Sequence, residues 1–267
     1  MNKIGLLLRL LFKKRPGIQF KVNFLIAGAQ KGGTTALDMF LGQHPQISMA
    51  LDKEVHFFDN EKLFKAGRKV NYDRYHFFFS PDNQNQMVGD ATPNYMYWPP
   101  AAQRIFDYNP QMKFILVLRN PIERAFSQWN MQRDRKIDHL SFYDAIQQES
   151  ERCKPPLSKQ NRIYSYVDRG FYATQIERLW SVFPKEQILI LKNENLRNDL
   201  QNSLDLVCDF LGVSPFEQKV ESKTVHARPY VNQLGHKEKA YLIEIFKPEI
   251  RKLEKMLHWD CNQWLQI

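Results

Sequence analysis

The segment that most constrains the fold is a short apolar run that opens into glycines. Phe24-Leu25-Ile26-Ala27 contains no polar residue and is followed at once by Gly28-Ala29-Gln30-Lys31-Gly32-Gly33 and then Thr34-Thr35. Four apolar residues bounded by turn formers suit a strand buried on both faces. Leu37, Phe40 and Leu41 then recur at helical spacing, and Thr34 and Thr35 can cap that helix. Strand, glycine-rich turn and helix in succession offer backbone N–H groups and a positive helix end to an anion.

Two further apolar runs, Phe114–Leu118 and Ile188–Leu191, follow the Pro-containing turns Asn109-Pro110 and Phe183-Pro184 and read as buried parallel strands. Asn120-Pro121-Ile122-Glu123 is a helix start: Asn caps, Pro suits the first position and Glu123 can reach back to the cap. A third helix is predicted over Thr174–Val182. A fourth places Leu200, Leu204, Val207, Cys208 and Leu211 on one face and stops at Gly212. The tail reads as two helices separated near Pro248, with Leu253, Met256, Leu257 and Trp259 packing. This alternation predicts an α/β, P-loop-like three-layer fold, its central parallel sheet flanked by helices. Ligands of such sheets bind at the carboxyl ends of the strands.

At 267 residues and 43% hydrophobic content, the chain can bury one substantial core. The expected organisation is a basic amphipathic segment over 1–20 and a single domain over 21–267. Ile4–Phe12, interrupted by Arg9, is shorter than the roughly 20 apolar residues of a membrane span. Lys13-Lys14-Arg15 stands where a signal peptide has small residues. The segment is expected to pack on the fold or to make weak peripheral contact with a membrane.

Gly28 and Gly33 have the spacing of Walker A glycines, but Thr34 stands where an ATPase carries lysine. The second and third apolar runs end in Arg119 and Lys192, whereas a P-loop NTPase needs an acid at a strand end to hold Mg²⁺. Basic strand ends suit an anion bound without metal. The formal charge of +9 also favours anionic ligands, although solubility alone would account for it. Three cysteines without CxxC spacing form neither a disulfide framework nor a zinc pattern and suit a reducing compartment. The aromatic run from Tyr72 to Phe79 reads as core or cleft wall rather than a surface for nucleic acid.

Four stretches occur together: Gln30-Lys31-Gly32-Gly33-Thr34-Thr35, Lys53-Glu54-Val55-His56-Phe57-Phe58-Asp59, Thr92-Pro93, and Leu118-Arg119-Asn120-Pro121-Ile122-Glu123-Arg124-Ala125-Phe126-Ser127. In that order and at those intervals, the sequence resembles the sulfotransferases that use 3′-phosphoadenosine 5′-phosphosulfate (PAPS). It is most similar to the branch of heparan sulfate N- and 3-O-sulfotransferases and their bacterial relatives. The resemblance covers roughly Phe24 to Trp259. It implies transfer of a sulfuryl group to a hydroxyl or amine of a glycan or small-metabolite acceptor, with no metal and no nucleic-acid partner.

By the same resemblance, Lys31, Gly32, Gly33, Thr34 and Thr35 cradle the phosphosulfate, Arg119 and Ser127 bind the 3′-phosphate, and Arg228 belongs to a loop closing over the cosubstrate. Lys31 would stabilise the leaving phosphate. Glu54 would be the general base, with His56 as the fallback and Asp59 nearby. If extended, the stretch puts Glu54, His56 and Phe58 on one face; the alternative for His56 is a buried structural histidine. Asp90, Thr92 and Pro93 correspond to a loop that meets the acceptor. Ala91 departs from the lysine of the heparan enzymes, and His226 and Ala227 depart from the closing loop. Arg169-Gly170-Phe171-Tyr172 either lines the cleft or packs a helix entry. The lack of paired cysteines and of an anchor suits a cytoplasmic bacterial enzyme. The competing readings are a P-loop kinase or ATPase and a non-catalytic polyanion-binding protein.

Overall fold

The computed structural model describes residues 19–154, 159–218, 220 and 233–266. In chain order the first elements are β1 (Phe24–Gly28), α1 (Thr34–Leu41), β2 (Ile47–Met49), α2 (Asp73–His76), β3 (Met87–Asp90), α3 (Asn94–Tyr97), α4 (Ala101–Tyr108) and β4 (Lys113–Leu118). They are followed by α5 (Pro121–Asp134), α6 (Phe142–Gln147), α7 (Glu149–Arg152), α8 (Lys159–Tyr164), α9 (Tyr172–Trp180), β5 (Ile188–Lys192), α10 (Asn193–Asn198), α11 (Leu200–Leu211) and α12 (His236–Leu257).

The strands form one sheet in the order β2-β3-β1-β4-β5. β1 pairs in parallel with β3 and β4, and β2 in parallel with β3. All five β1 residues are buried, as a strand covered on both faces requires. The three apolar runs became β1, β4 and β5. β2 and β3 were not expected, because three and four residues, one strand ending Gly89-Asp90, offer no apolar run. Gly89 lies in register with Phe24, and a Cβ there would stand 2.2 Å from the Phe24 ring. The glycine lets that ring lie over β3.

The chain divides into two compact units. The first holds the sheet, α1 and α11. Its core gathers Phe24, Ile26, Leu37, Leu41, Ile115, Val117, Leu204 and Val207; each such side chain contributes about 1.5–3 kcal/mol on burial. α11 buries Leu200, Leu204, Val207, Cys208 and Leu211, as their spacing predicts, and closes on Gly212 at φ 77°. In the aromatic run, Tyr75 and Phe79 join the core while Phe77 is exposed.

The second unit takes in the loop residues 30–32 with 118–154, 159–177 and 233–266. α5 starts as expected, with Asn120 Oδ1 accepting from Ile122 N at 3.0 Å and Pro121 at its first position. α9 begins at Tyr172, two residues before the predicted Thr174. The tail is one 22-residue helix, α12, and not two. Pro248 lies on its exposed side and removes a single N–H, while Leu242, Ile243, Phe246, Ile250 and Leu253 stay buried on both sides of it. Packing therefore carries the helix past the proline.

Candidate active site

β1 ends at Gly28, where a Cβ would come within 2.6 Å of Met96 Sδ. The chain then bends sharply: Lys31 has φ 69° and Gly33 has φ 108°. Gly33, not a threonine, occupies the cap of α1, so the cap residue supplies no side-chain hydrogen bond to that helix end. Thr34 and Thr35 are its first two residues. The expected threonine cap is therefore wrong, because the left-handed glycine already makes the turn. What results is a helix end without a side-chain oxygen from its cap residue, an arrangement suited to an anion.

In the second unit, Lys31 Nζ lies 4.0 Å from Met131 Sδ. Met131 is one turn beyond Ser127 on α5, so the lysine rests over the helix face that carries the serine. Ser127 itself is buried. Arg119, directly after β4, donates from Nε and Nη2 to Glu123 Oε2 at 3.1 and 2.8 Å. Glu123 is thus taken by the guanidinium and does not reach back to Asn120 as expected. With Glu123 half exposed, this i,i+4 pair is weak, and a guanidinium fork of this kind has the donor geometry that suits phosphate. The Tyr172 hydroxyl donates to the Arg119 carbonyl at 2.9 Å, and buried Arg169 donates to Ser165 Oγ at 2.8 Å. That stretch packs a helix entry and holds the backbone of Arg119. Arg228 lies outside the described residues.

The first unit carries the Glu54–Asp59 stretch. It is not extended: Glu54 and His56 have φ of 63° and 54°, a conformation that non-glycine residues adopt at a cost. The bend still brings the two together. His56 Nε2 lies 3.5 Å from Glu54 Oε2, and Nδ1 lies 2.8 Å from Asp59 Oδ2. Asn94 Nδ2 donates to the same Asp59 oxygen at 2.5 Å. The Glu54 N–H is held by the Ala91 carbonyl at 3.1 Å, and Lys53 Nζ donates to Glu54 Oε1 at 3.2 Å. Phe58 turns away into the aromatic core beside Tyr75 and Tyr95.

Burial alone would lower the His56 pKa, but its bonds to Asp59 and Glu54 outweigh that and raise it to about 9. Burial would likewise raise Glu54, yet His56 and Lys53 pull it down to about 2. With both ring nitrogens facing carboxylates, the imidazolium form of His56 is the favoured one. Its side chain is 40% exposed, so it is not the buried structural histidine of the alternative reading.

Asp90, Thr92 and Pro93 are all buried. Thr92 Oγ1 donates to Asp90 Oδ1 at 2.8 Å, and the Tyr75 and Tyr95 hydroxyls donate to Asp90 Oδ2, each at 3.0 Å. Burial raises the Asp90 carboxyl to about 6. These side chains point inward, so they brace the β3 end that holds Glu54 through Ala91. β3 does end in an acid, contrary to the strand-end argument, but hydroxyls occupy both of its oxygens. Among the described residues, no group of three His, Cys, Asp or Glu is placed to hold a metal ion.

Sequence reasoning missed Asn94, Met131 and Asp38. Asp38 lies one turn after Thr34 on α1. Burial raises its carboxyl to about 6, and it feels Lys53, Asp90 and Glu54. Its i+4 spacing from Thr34 was a readable signal.

A parallel sheet whose central strand runs through a glycine-bent loop into a helix capped by glycine defines a P-loop-like α/β protein. The sulfotransferase domain family matches residues 21–229, and the chain belongs to that family. It is 34% identical over 211 residues to the mouse (Mus musculus) bifunctional heparan sulfate N-deacetylase/N-sulfotransferase 4, covering 76% of this chain and 23% of that protein. The human (Homo sapiens) N-deacetylase/N-sulfotransferase 1 is 34% identical over 202 residues, covering 72% of this chain and 22% of that protein. The chain thus spans under a quarter of these relatives. A crystal structure of a sulfotransferase from Alicyclobacillus acidocaldarius superposes with TM-score 0.79 at 29% identity, over 92% of this chain and 99% of that one.

Proposed function

We propose that this enzyme moves the sulfuryl group of PAPS to a hydroxyl or amine of a glycan or small-metabolite acceptor, with Glu54 as general base. The observation that carries the cosubstrate is the placement of Lys31 over the face of α5 that bears Ser127. By resemblance, these two residues serve the two ends of one nucleotide. The glycine-built turn, where a Cβ would collide at Gly28 and Gly33, suits an anion, and the second unit supplies cationic and hydroxyl donors in Lys31, Arg119 and Ser127. When bound, PAPS supplies the sulfuryl group and leaves as 3′,5′-ADP.

Lys31 and the N–H groups at the start of α1 balance charge building on the leaving phosphate. Arg119 and Ser127 take the 3′-phosphate. His56, held protonated between Asp59 and Glu54, has no lone pair to accept a proton, which favours Glu54 as the base. A carboxylate near pKa 2 is a weak base. It suffices because the acceptor oxygen or nitrogen becomes strongly acidic as its bond to sulfur forms.

The test is mass-detected sulfate transfer from PAPS across an acceptor panel, together with titration of 3′,5′-ADP against 5′-AMP. The reading expects tight binding of 3′,5′-ADP alone. Mg²⁺-dependent ATP turnover with no preference for the 3′-phosphate would support the kinase reading and overturn this one.

A further inference from the structure

The strand at the other edge of the sheet carries a buried amide that the mechanism above leaves unused. Asn193 directly follows β5 and is buried. Its Nδ2 lies 2.7 Å from where a Cβ would stand on Gly33, with Leu196 Cδ2 at 3.6 Å and Val117 Cγ1 at 3.8 Å from the same point. Gly33 is the residue whose φ of 108° turns the loop into α1. One polar group is therefore pressed under this turn, on a floor otherwise built from aliphatic side chains.

The contact explains why residue 33 must be glycine twice over. Its φ disfavours any side chain, and the space a side chain needs is occupied by Asn193.

We propose that Asn193 is a positioning residue for the cosubstrate. Its amide, packed beneath Gly33, sets the turn so that the first N–H groups of α1 converge on the phosphosulfate oxygens of a nucleotide. The role rests on the reading that this loop holds PAPS. Asn193 acts through the loop and does not touch the reacting atoms. It makes the end of β5 part of the nucleotide site, alongside the ends of β1 and β4.

The experiment compares wild type, Asn193→Ala and Asn193→Ser by calorimetric titration with 3′,5′-ADP, by KM for PAPS and for acceptor, by kcat, and by thermal melting. Losing the amide should weaken 3′,5′-ADP and raise the PAPS KM by about tenfold, the scale of one hydrogen bond. The acceptor KM, kcat and melting temperature should stay near wild type, and serine, which keeps a short donor, should recover part of the loss. It also serves as the test variant if alanine does not fold. Wild-type titration with 3′,5′-ADP that shows no binding would sink the PAPS reading itself. Wild-type binding with an equally tight alanine variant would overturn the role of Asn193 alone. So would a lower melting temperature with unchanged KM values.

Discussion

His56 touches two carboxylates through its two ring nitrogens, and that placement sets both the chemistry and the pH response of the site. Replacing Glu54 by Gln keeps the shape but removes the proposed proton acceptor. Sulfate transfer should be abolished while 3′,5′-ADP still titrates with near wild-type affinity, and full turnover in that variant would place the base elsewhere. The pH dependence has a definite sign. Because the folded His56 pKa is raised from 6.5 to about 9, its stabilisation is complete below 6.5 and is lost as pH rises through about 9. Glu54 is lowered from 4.5 to about 2, so its share is present above 4.5 and is lost as pH falls through about 2. The melting-temperature gap between wild type and His56→Asn should therefore be widest from about 4.5 to 6.5 and close above about 9. Half-exposed groups keep it modest. A gap independent of pH would contradict the ion pairing. The motif residues themselves were readable from the sequence, but their bend was not. Nothing in the composition of Glu54-Val55-His56 signals left-handed residues on both sides of Val55, and Asn94 reaches Asp59 only because of the fold.

At the scale of elements, local chemistry was legible where one residue decides the outcome and illegible where packing does. Asn120-Pro121 starts α5 and Gly212 ends α11 as their side chains dictate. β3 exists because β1 offers it a partner, and β2 because β3 does, so their own four and three residues carry almost no signal. Pro248 is the opposite case, a strong local signal overridden by tertiary contacts. Because it is exposed, exchanging it costs no burial, and the exchange restores an N–H to the carbonyl one turn back. Pro248→Ala should therefore raise stability by about 1–3 kcal/mol in a denaturant titration, with activity unchanged. A loss of stability would mean that the proline ring packs in a way its exposure does not suggest.

For the whole molecule, the fold class was legible because buried strands and amphipathic helices alternate, and the charge of +9 pointed to anions without choosing one. The choice among anions is a question of specificity, and thermal stability can answer it. A ligand that binds only the folded chain stabilises it by about 2.7 kcal/mol at about a hundred times its dissociation constant. For a chain of this size that is a rise in melting temperature of roughly 5–10 °C. 3′,5′-ADP should produce such a rise and 5′-AMP much less, because in the proposed function the fork of Arg119 takes the additional phosphate. Arg119→Ala should weaken 3′,5′-ADP by about 1.5–3 kcal/mol and shrink its shift to that of 5′-AMP. Long-range attraction from the net charge is screened within about 10 Å at 0.1 M salt, whereas a charged hydrogen bond at the site is screened far less. Raising the salt should therefore abolish any shift caused by heparin well before it abolishes the nucleotide's. If both shifts fade together and Arg119→Ala changes neither, the protein reads charge and not a nucleotide, and the polyanion-binding alternative takes its place.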